Sequence, residues 1–238
     1  MSKSDVVIRE VAKDVWIFSR PFARFGIIQM GGRSTAIKLR QGGVWVLAST
    51  PLTQDTRNKI DELGEVKYII GADAVHHMFL GEFKRAYPNA KLIGVEDAIK
   101  NMSDKDLQFD GLWGRDLPSR NYGFEDEIKH CYFSGFRNKD VAFLHMPSKS
   151  LIEADLLLNL PANEQYSKSS SSPRMNIKPD SWIHRAIINN STVDAKAMRR
   201  DATTVANWDF DRIIPCHGDV IETDGNKMWR TLYDAFLN

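Results

Sequence analysis

Three short segments carry the side chains best suited to chemistry. Gly71-Ala-Asp-Ala-Val-His76-His77 leaves the apolar run VKYII and enters a helix-like pattern. Asp155 lies in SLIEADLLLNL, with Leu151 and Ile152 before it and Leu156, Leu157 and Leu158 after it. His217 ends the run IIPCH, two residues after Pro215 and just before Gly218. A carboxylate among leucines must find a cation, a metal or hydrogen-bond donors, because an unpaired buried charge costs several kcal/mol. Imidazole and carboxylate together suit a transition metal, most commonly zinc, held by three or four protein ligands. Each segment also has a plainer reading. Asp155 accepts backbone N–H groups at a strand end, one of the two adjacent histidines faces the core, and His217 merely sits on a tight turn.

The elements that must position these residues are legible as alternating patterns. VAKDVWIFSRPF and RSTAIKLRQGGVWVLAS read as strands, the second folded into a hairpin at Gly42-Gly43. FARFGIIQMGGRS between them reads as a looser hairpin tip around Gly31-Gly32. TPLTQDTRNKIDELG reads as a helix with Thr53 as N-cap and Gly64 just past its end. VKYII and KLIGV are short buried strands. They flank a helix expected to begin at Val75 and to place Val75, Phe79, Phe83 and Tyr87 on one face. Residues 96–125 read as loop with a short helix. HCYFSGF, DVAFLHM, SLIEADLLLNL and DRIIPCH read as strands, and 181–207 and NKMWRTLYDAF as helical. The serine run at 169–172 marks residues 160–182 as a mobile loop. The expected architecture is α/β, with sheets sandwiched between helices in a single domain over 1–238. Chemistry in such layered folds concentrates at strand ends.

Composition narrows the function classes. The 238 residues carry 32 Lys+Arg against 31 Asp+Glu, which argues against a nucleic-acid partner. No apolar run reaches the roughly 20 residues of a membrane span. The N-terminal residues lack the apolar stretch of a signal peptide. Two cysteines, Cys131 and Cys216, with no CxxC pair fit a reducing cytoplasm. A small-molecule partner remains, and the oligomeric state is left open.

The order of elements and the three strand-end sites resemble the metallo-β-lactamase fold, an αββα four-layer sandwich of metal-dependent hydrolases. More narrowly, Ser148-Lys149-Ser150-Leu-Ile-Glu-Ala-Asp155-Leu-Leu-Leu-Asn159 and Ile214-Pro-Cys-His217-Gly-Asp219 resemble a divergent DUF4336-type group. The resemblance spans nearly the whole chain. It aligns the superfamily's THxHxDH signature with the segment after VKYII. There, Ala72 and Ala74 replace the first two histidines, His76 stands at the aspartate and His77 matches the last histidine. An HxPGHT-like stretch aligns with His145-Met-Pro-Ser-Lys149-Ser150, so Lys149 takes a histidine's place. Asp155 matches the bridging aspartate and His217 the final histidine.

The resemblance therefore implies loss of one metal site and retention of a second, with His76, His77, Asp155 and His217 as ligands. One divalent metal is expected, zinc first, with iron or manganese as alternatives. It also implies a metal-dependent hydrolase of a small ester, lactone, lactam or thioester. Lys149 would stabilise an oxyanion or pair with Asp155 or Glu153, and His76, if not a ligand, would serve as general base. The alternatives are a metal-free or non-catalytic binding protein of the same fold, or a mononuclear isomerase, lyase or iron oxidoreductase. Phe22, Phe25, Trp113, Tyr166 and Trp182 are candidate pocket walls, which favours an apolar or aromatic substrate. For Trp182 a core role is the favoured reading. His145 reads as a packed histidine bordering the site, His184 as structural or surface, and Cys216 as packing behind the site.

Overall fold

The computed structural model describes residues 5–238. In chain order it begins with β1 (Val7–Ala12), β2 (Val15–Arg20), the short pair β3 (Ala23–Arg24) and β4 (Ile28–Gln29), β5 (Gly32–Lys38) and β6 (Val44–Leu47). Then come α1 (Gln54–Leu63), β7 (Val66–Ile70), α2 (Leu80–Ala86), β8 (Lys91–Val95), α3 (Glu96–Asn101) and β9 (Gly111–Trp113). The second half contains β10 (Ile128–Tyr132), β11 (Val141–His145), β12 (Ser150–Glu153), α4 (Asn163–Tyr166), α5 (Trp182–Ser191), α6 (Ala195–Ala206), β13 (Arg212–Pro215), α7 (Gly225–Leu232) and α8 (Asp234–Leu237).

Two main sheets result. The larger runs β1-β2-β5-β6-β7-β8-β9, and the smaller β10-β11-β12-β13. Strands joined by hairpins are antiparallel, whereas β6 to β9 are parallel because a helix connects each to the next. The helix after β6 starts and stops where expected: the Thr53 side chain accepts from the Thr56 N–H, and Gly64 follows the last turn.

Three apolar clusters show the layer order. Ile17, Ile37, Trp45, Ile70 and Ile93 of the large sheet meet Ile128, Phe143, Ile152 and Ile214 of the small one. The other face of the large sheet packs Val46, Ile69 and Leu92 against Ile60 of α1 and Leu80 and Phe83 of α2. The other face of the small sheet packs Leu144, Leu151 and Ile213 against α5 to α8 through Ile188, Met198, Val205, Trp229 and Phe236. The result is helix, sheet, sheet, helix, the expected four layers. Among the described residues no helix is long and apolar enough to cross a membrane.

Several local expectations are corrected. The helix expected from Val75 begins only at Leu80. Asp73 is the cause: its Oδ1 accepts from the N–H groups of Val75 (2.8 Å) and His76 (2.6 Å), holding the chain in a turn that competes with helix. The N-terminal hairpin turns at Phe25-Gly26 rather than at Gly31-Gly32. Trp113 does not line a pocket; it lies in the core between the sheets and donates to His130 Nδ1. Trp182 is not a core anchor, being 75% exposed. Within 160–182, Leu160, Ala162, Tyr166 and Ile177 are buried in a fourth cluster, while Ser170–Ser172 are exposed.

His184 is a structural histidine. Its Nε2 accepts from the Leu158 N–H, and burial lowers its pKa to about 4. The unfolded chain therefore binds a proton near pH 6.5 that the folded chain refuses until about pH 4. His184's share of stability is present above the unfolded value and is lost as pH falls toward 4. Wild type and His184→Gln should differ by about 2–3 kcal/mol less at pH 4.5 than at pH 7 in denaturant unfolding. An unchanged gap would show that this ring is not held neutral.

Candidate metal centre

The functional side chains gather at one edge of the sandwich. β12 and β13 are parallel, with Glu153 opposite Pro215. Two residues further on in each chain stand Asp155 and His217, so the register brings them to the same level. β7 ends nearby, and the Asp73 turn carries His76 across to them. His76, Asp155 and His217 each offer a donor atom, and the three atoms lie within 4.8 Å of one another. His76 Nε2 is 3.1 Å from His217 Nε2, which is 3.4 Å from Asp155 Oδ1. Ligand atoms bound to a tetrahedral zinc at about 2.1 Å stand roughly 3.4 Å apart, so both spacings fit the edges of such a shell.

A partner aims each donor. His76 Nδ1 is 2.9 Å from Asp73 Oδ2, and His217 Nδ1 donates to the Gly31 carbonyl at 2.6 Å. Both rings thus commit Nδ1 and present Nε2. Asn138 Nδ2 donates to Asp155 Oδ2 at 2.6 Å, and the Asp155 N–H donates to Asp140. The loop of His217 is clamped by a fully buried guanidinium. Arg33 Nη1 donates to the Pro215 and Gly218 carbonyls, Nε to Ser19, and Nη2 to Glu164. Gln165 completes the clamp by donating to the Cys216 carbonyl and accepting from the Gly218 N–H. Two glycines permit this closeness: a Cβ on Gly31 would lie 2.0 Å from Gln165 Oε1, and one on Gly218 2.2 Å from the Asn159 carbonyl.

The charges are strongly perturbed. Burial is the largest single influence on His76 and lowers its pKa, but Asp73 and Asp155 together outweigh it and raise the value to about 10. His217 is pushed down by burial, partly offset by Asp155. The raised pKa of His76 and the lowered pKa of His217 together favour a proton on His76 Nε2 facing the Nε2 of His217 when no metal is bound. A metal entering the site competes with that proton. Behind the triad, burial raises Asp140 and Glu153 well above the carboxylate range, and neighbouring carboxylates reinforce the shift. Cys216 is buried with its pKa raised, an inert packing role as expected.

Two expected site residues are not brought together with the rest. His77 lies outside the group of three; its pKa is lowered by burial. Lys149 precedes β12 while Asp155 follows it, so the two leave opposite ends of the same strand. Lys149 is exposed and pairs with Asp209 at 2.7 Å rather than with Asp155 or Glu153. His145 ends β11 beside Ser150, away from the triad, and its Nδ1 meets Ser148 Oγ at 2.7 Å. Asp73, Asn138, Asp140 and Arg33 are the site residues that sequence reasoning missed. A signal existed for Asp73, an aspartate three residues before a histidine, whereas Arg33 reads as an ordinary outward strand residue.

The triad lies in the wall of a cavity of about 380 Å³. Phe22, Phe25, Met30, Val75, Met78 and Phe79 line the rest, together with Arg24 and Ser49. Phe22 also stacks on His217, with ring centroids 6.0 Å apart.

A family model described as a domain of unknown function (DUF4336) matches residues 12–200. The chain belongs to the DUF4336 family. No curated protein matches this DUF4336 member in sequence. Its fold is shared with solved metallo-β-lactamases. DIM-1 metallo-β-lactamase superposes with a TM-score of 0.63 at 11% identity, covering 99% of each chain. A metallo-β-lactamase from Hirschia baltica gives 0.62 at 10%, covering 98% of each. The flavodiiron core of Flv1 from Synechocystis sp. PCC6803 gives 0.67 at 14% identity, covering 98% of this chain and 61% of the other. The DUF4336 chain is thus a divergent protein of the metallo-β-lactamase fold.

Asp73→Asn separates aiming from folding. The introduced amide keeps the turn through its carbonyl oxygen but offers an N–H to His76 Nδ1, moving the ring proton to Nε2. Affinity for zinc should fall about 10–100-fold, measured by competition with a chromophoric chelator. Unchanged affinity would remove Asp73 from the site.

Proposed function

We propose that this protein is a metal-dependent hydrolase of a small ester, lactone, lactam or thioester, using one divalent metal held by His76, Asp155 and His217. The observation that carries this reading is the convergence of two Nε2 atoms and a carboxylate oxygen beside an apolar cavity. A metal bound there would polarise a carbonyl and lower the pKa of a water. Three protein ligands, rather than the four expected with His77, leave room for that chemistry. Asp73 and the Gly31 carbonyl hold both rings in the ligating tautomer. Asn138 orients Asp155, and Phe22 and Phe79 exclude water and favour an apolar or aromatic substrate.

The donor set favours a second reading. Two histidines and one carboxylate with open positions also suit non-haem iron(II). The flavodiiron core of the same fold adds support for an iron oxidoreductase.

The test is hydrolysis of p-nitrophenyl acetate and butyrate, γ-butyrolactone, a penicillin and a short-chain acyl thioester by protein loaded with zinc, iron(II) or manganese. Hydrolysis of at least one compound, abolished by chelator and by Asp155→Ala, is expected. Turnover indifferent to both would place the chemistry elsewhere.

A further inference from the structure

The cavity holds one charged group that the hydrolase reading does not use. Arg24 lines it from the β3–β4 hairpin, beside walls formed by Phe22, Phe25, Met30 and Val75. Among the described residues its guanidinium has no carboxylate partner and lies over the Phe25 ring, 5.3 Å from the centroid. Arginines on the neighbouring strands β1, β2 and β5 of the large sheet are paired: Arg9 and Arg33 share Glu164, and Arg20 binds Asp5. The one carboxylate in the lining is Asp155, in the triad itself. Phe25 and Met78 line the cavity yet are 78% and 68% exposed, apolar surface that a ligand would cover.

We infer that the cavity selects apolar monoanions, with the negative group on Arg24 and the apolar body against Phe22, Phe25 and Met30. This deepens the hydrolase reading and rests on it for placing the scissile carbonyl at the triad. Arginine keeps its charge at any working pH and forks onto carboxylates and sulfonates, so it recognises the anion rather than merely tolerating it. A cavity of about 380 Å³ is near the lower end for ligand sites. That size suits one ring with a short chain.

Binding is measured by calorimetry in chelator-treated protein, so the outcome does not depend on the metal. The probes are 3-phenylpropionate, 4-phenylbutyrate and 4-phenylbutanol, with wild type, Arg24→Gln and Phe25→Ala. In wild type, 4-phenylbutyrate is expected to bind at least about tenfold more tightly than the alcohol. It should bind about fourfold more tightly than 3-phenylpropionate, the worth of one buried methylene. Arg24→Gln, an exposed position, should reduce the acid–alcohol preference to about threefold or less. Phe25→Ala should weaken acid and alcohol alike. Equal binding of acid and alcohol, a preference that survives Arg24→Gln, or no binding of either at millimolar concentration would each overturn the inference. A surviving preference would place the anion on a group other than Arg24. Failure of the hydrolysis test with these results intact would leave a binding site without that activity.

Discussion

His217→Ala and Asp155→Ala should each lower metal affinity by at least about 100-fold while leaving the fold intact. Each removes one of three donors, and losing even a group that only orients a ligand commonly costs 10–100-fold. Both positions lie beyond strand ends, so the ladder of β12 with β13 survives. Removing Asp155 also frees Asn138 Nδ2, which can turn toward solvent. The two changes differ in charge. Asp155→Ala takes away one of the carboxylates that keep His76 protonated, so the metal-free His76 pKa should fall. His217→Ala removes the acceptor of the His76 Nε2–H and leaves that proton exposed to the cavity. Equilibrium dialysis against zinc, with circular dichroism to confirm folding, checks both. A folded variant that binds metal as wild type does would exclude that residue from the shell.

Arg33→Met should cost about 3–5 kcal/mol, because it leaves the Pro215 and Gly218 carbonyls and one Glu164 oxygen with a lost partner in the interior. Burial lowers the arginine's pKa, and Glu164 only partly offsets this. The guanidinium is thus held at some cost in free energy, and what it secures is the position of the His217 loop. For a chain of this size the loss corresponds to a fall in Tm of about 6–20 °C. Metal affinity should fall with it, since His217 would no longer be held against Gly31. Thermal unfolding and zinc titration of the same sample report the two effects. Unchanged Tm and affinity together would show that the loop holds itself.

How much of this was legible follows from where the information lies. Thr53 and Gly64 act within one turn of their own helix, so their residue types sufficed. Asp155 and His217 could be singled out because a carboxylate and an imidazole interrupt apolar runs. What paired them is the register of two parallel strands, about sixty positions apart in the chain. The four layers followed from the strand and helix order, as the three clusters bear out. The helical face drawn through Val75 failed because a side-chain bond from Asp73 competes with the helix. Lys149 was misplaced because a sequence does not say which end of a strand points to the site. Arg33 was invisible for another reason: arginine is seldom fully buried, and its partners come from β2, α4, the end of β13 and the loop after it. Trp113 is buried between the sheets and Trp182 is exposed, the reverse of their expected settings, because an aromatic residue in a polar stretch fits a wall, a core or the surface equally well.

The most direct measurement is anomalous diffraction from crystals of protein purified without chelator and then exposed to zinc, iron(II) or manganese. One peak per chain is expected at the edge of the bound metal, about 2.1 Å from the Nε2 atoms of His76 and His217 and bonded to Asp155. No peak among these three residues with any of the metals, or a peak elsewhere, would contradict it.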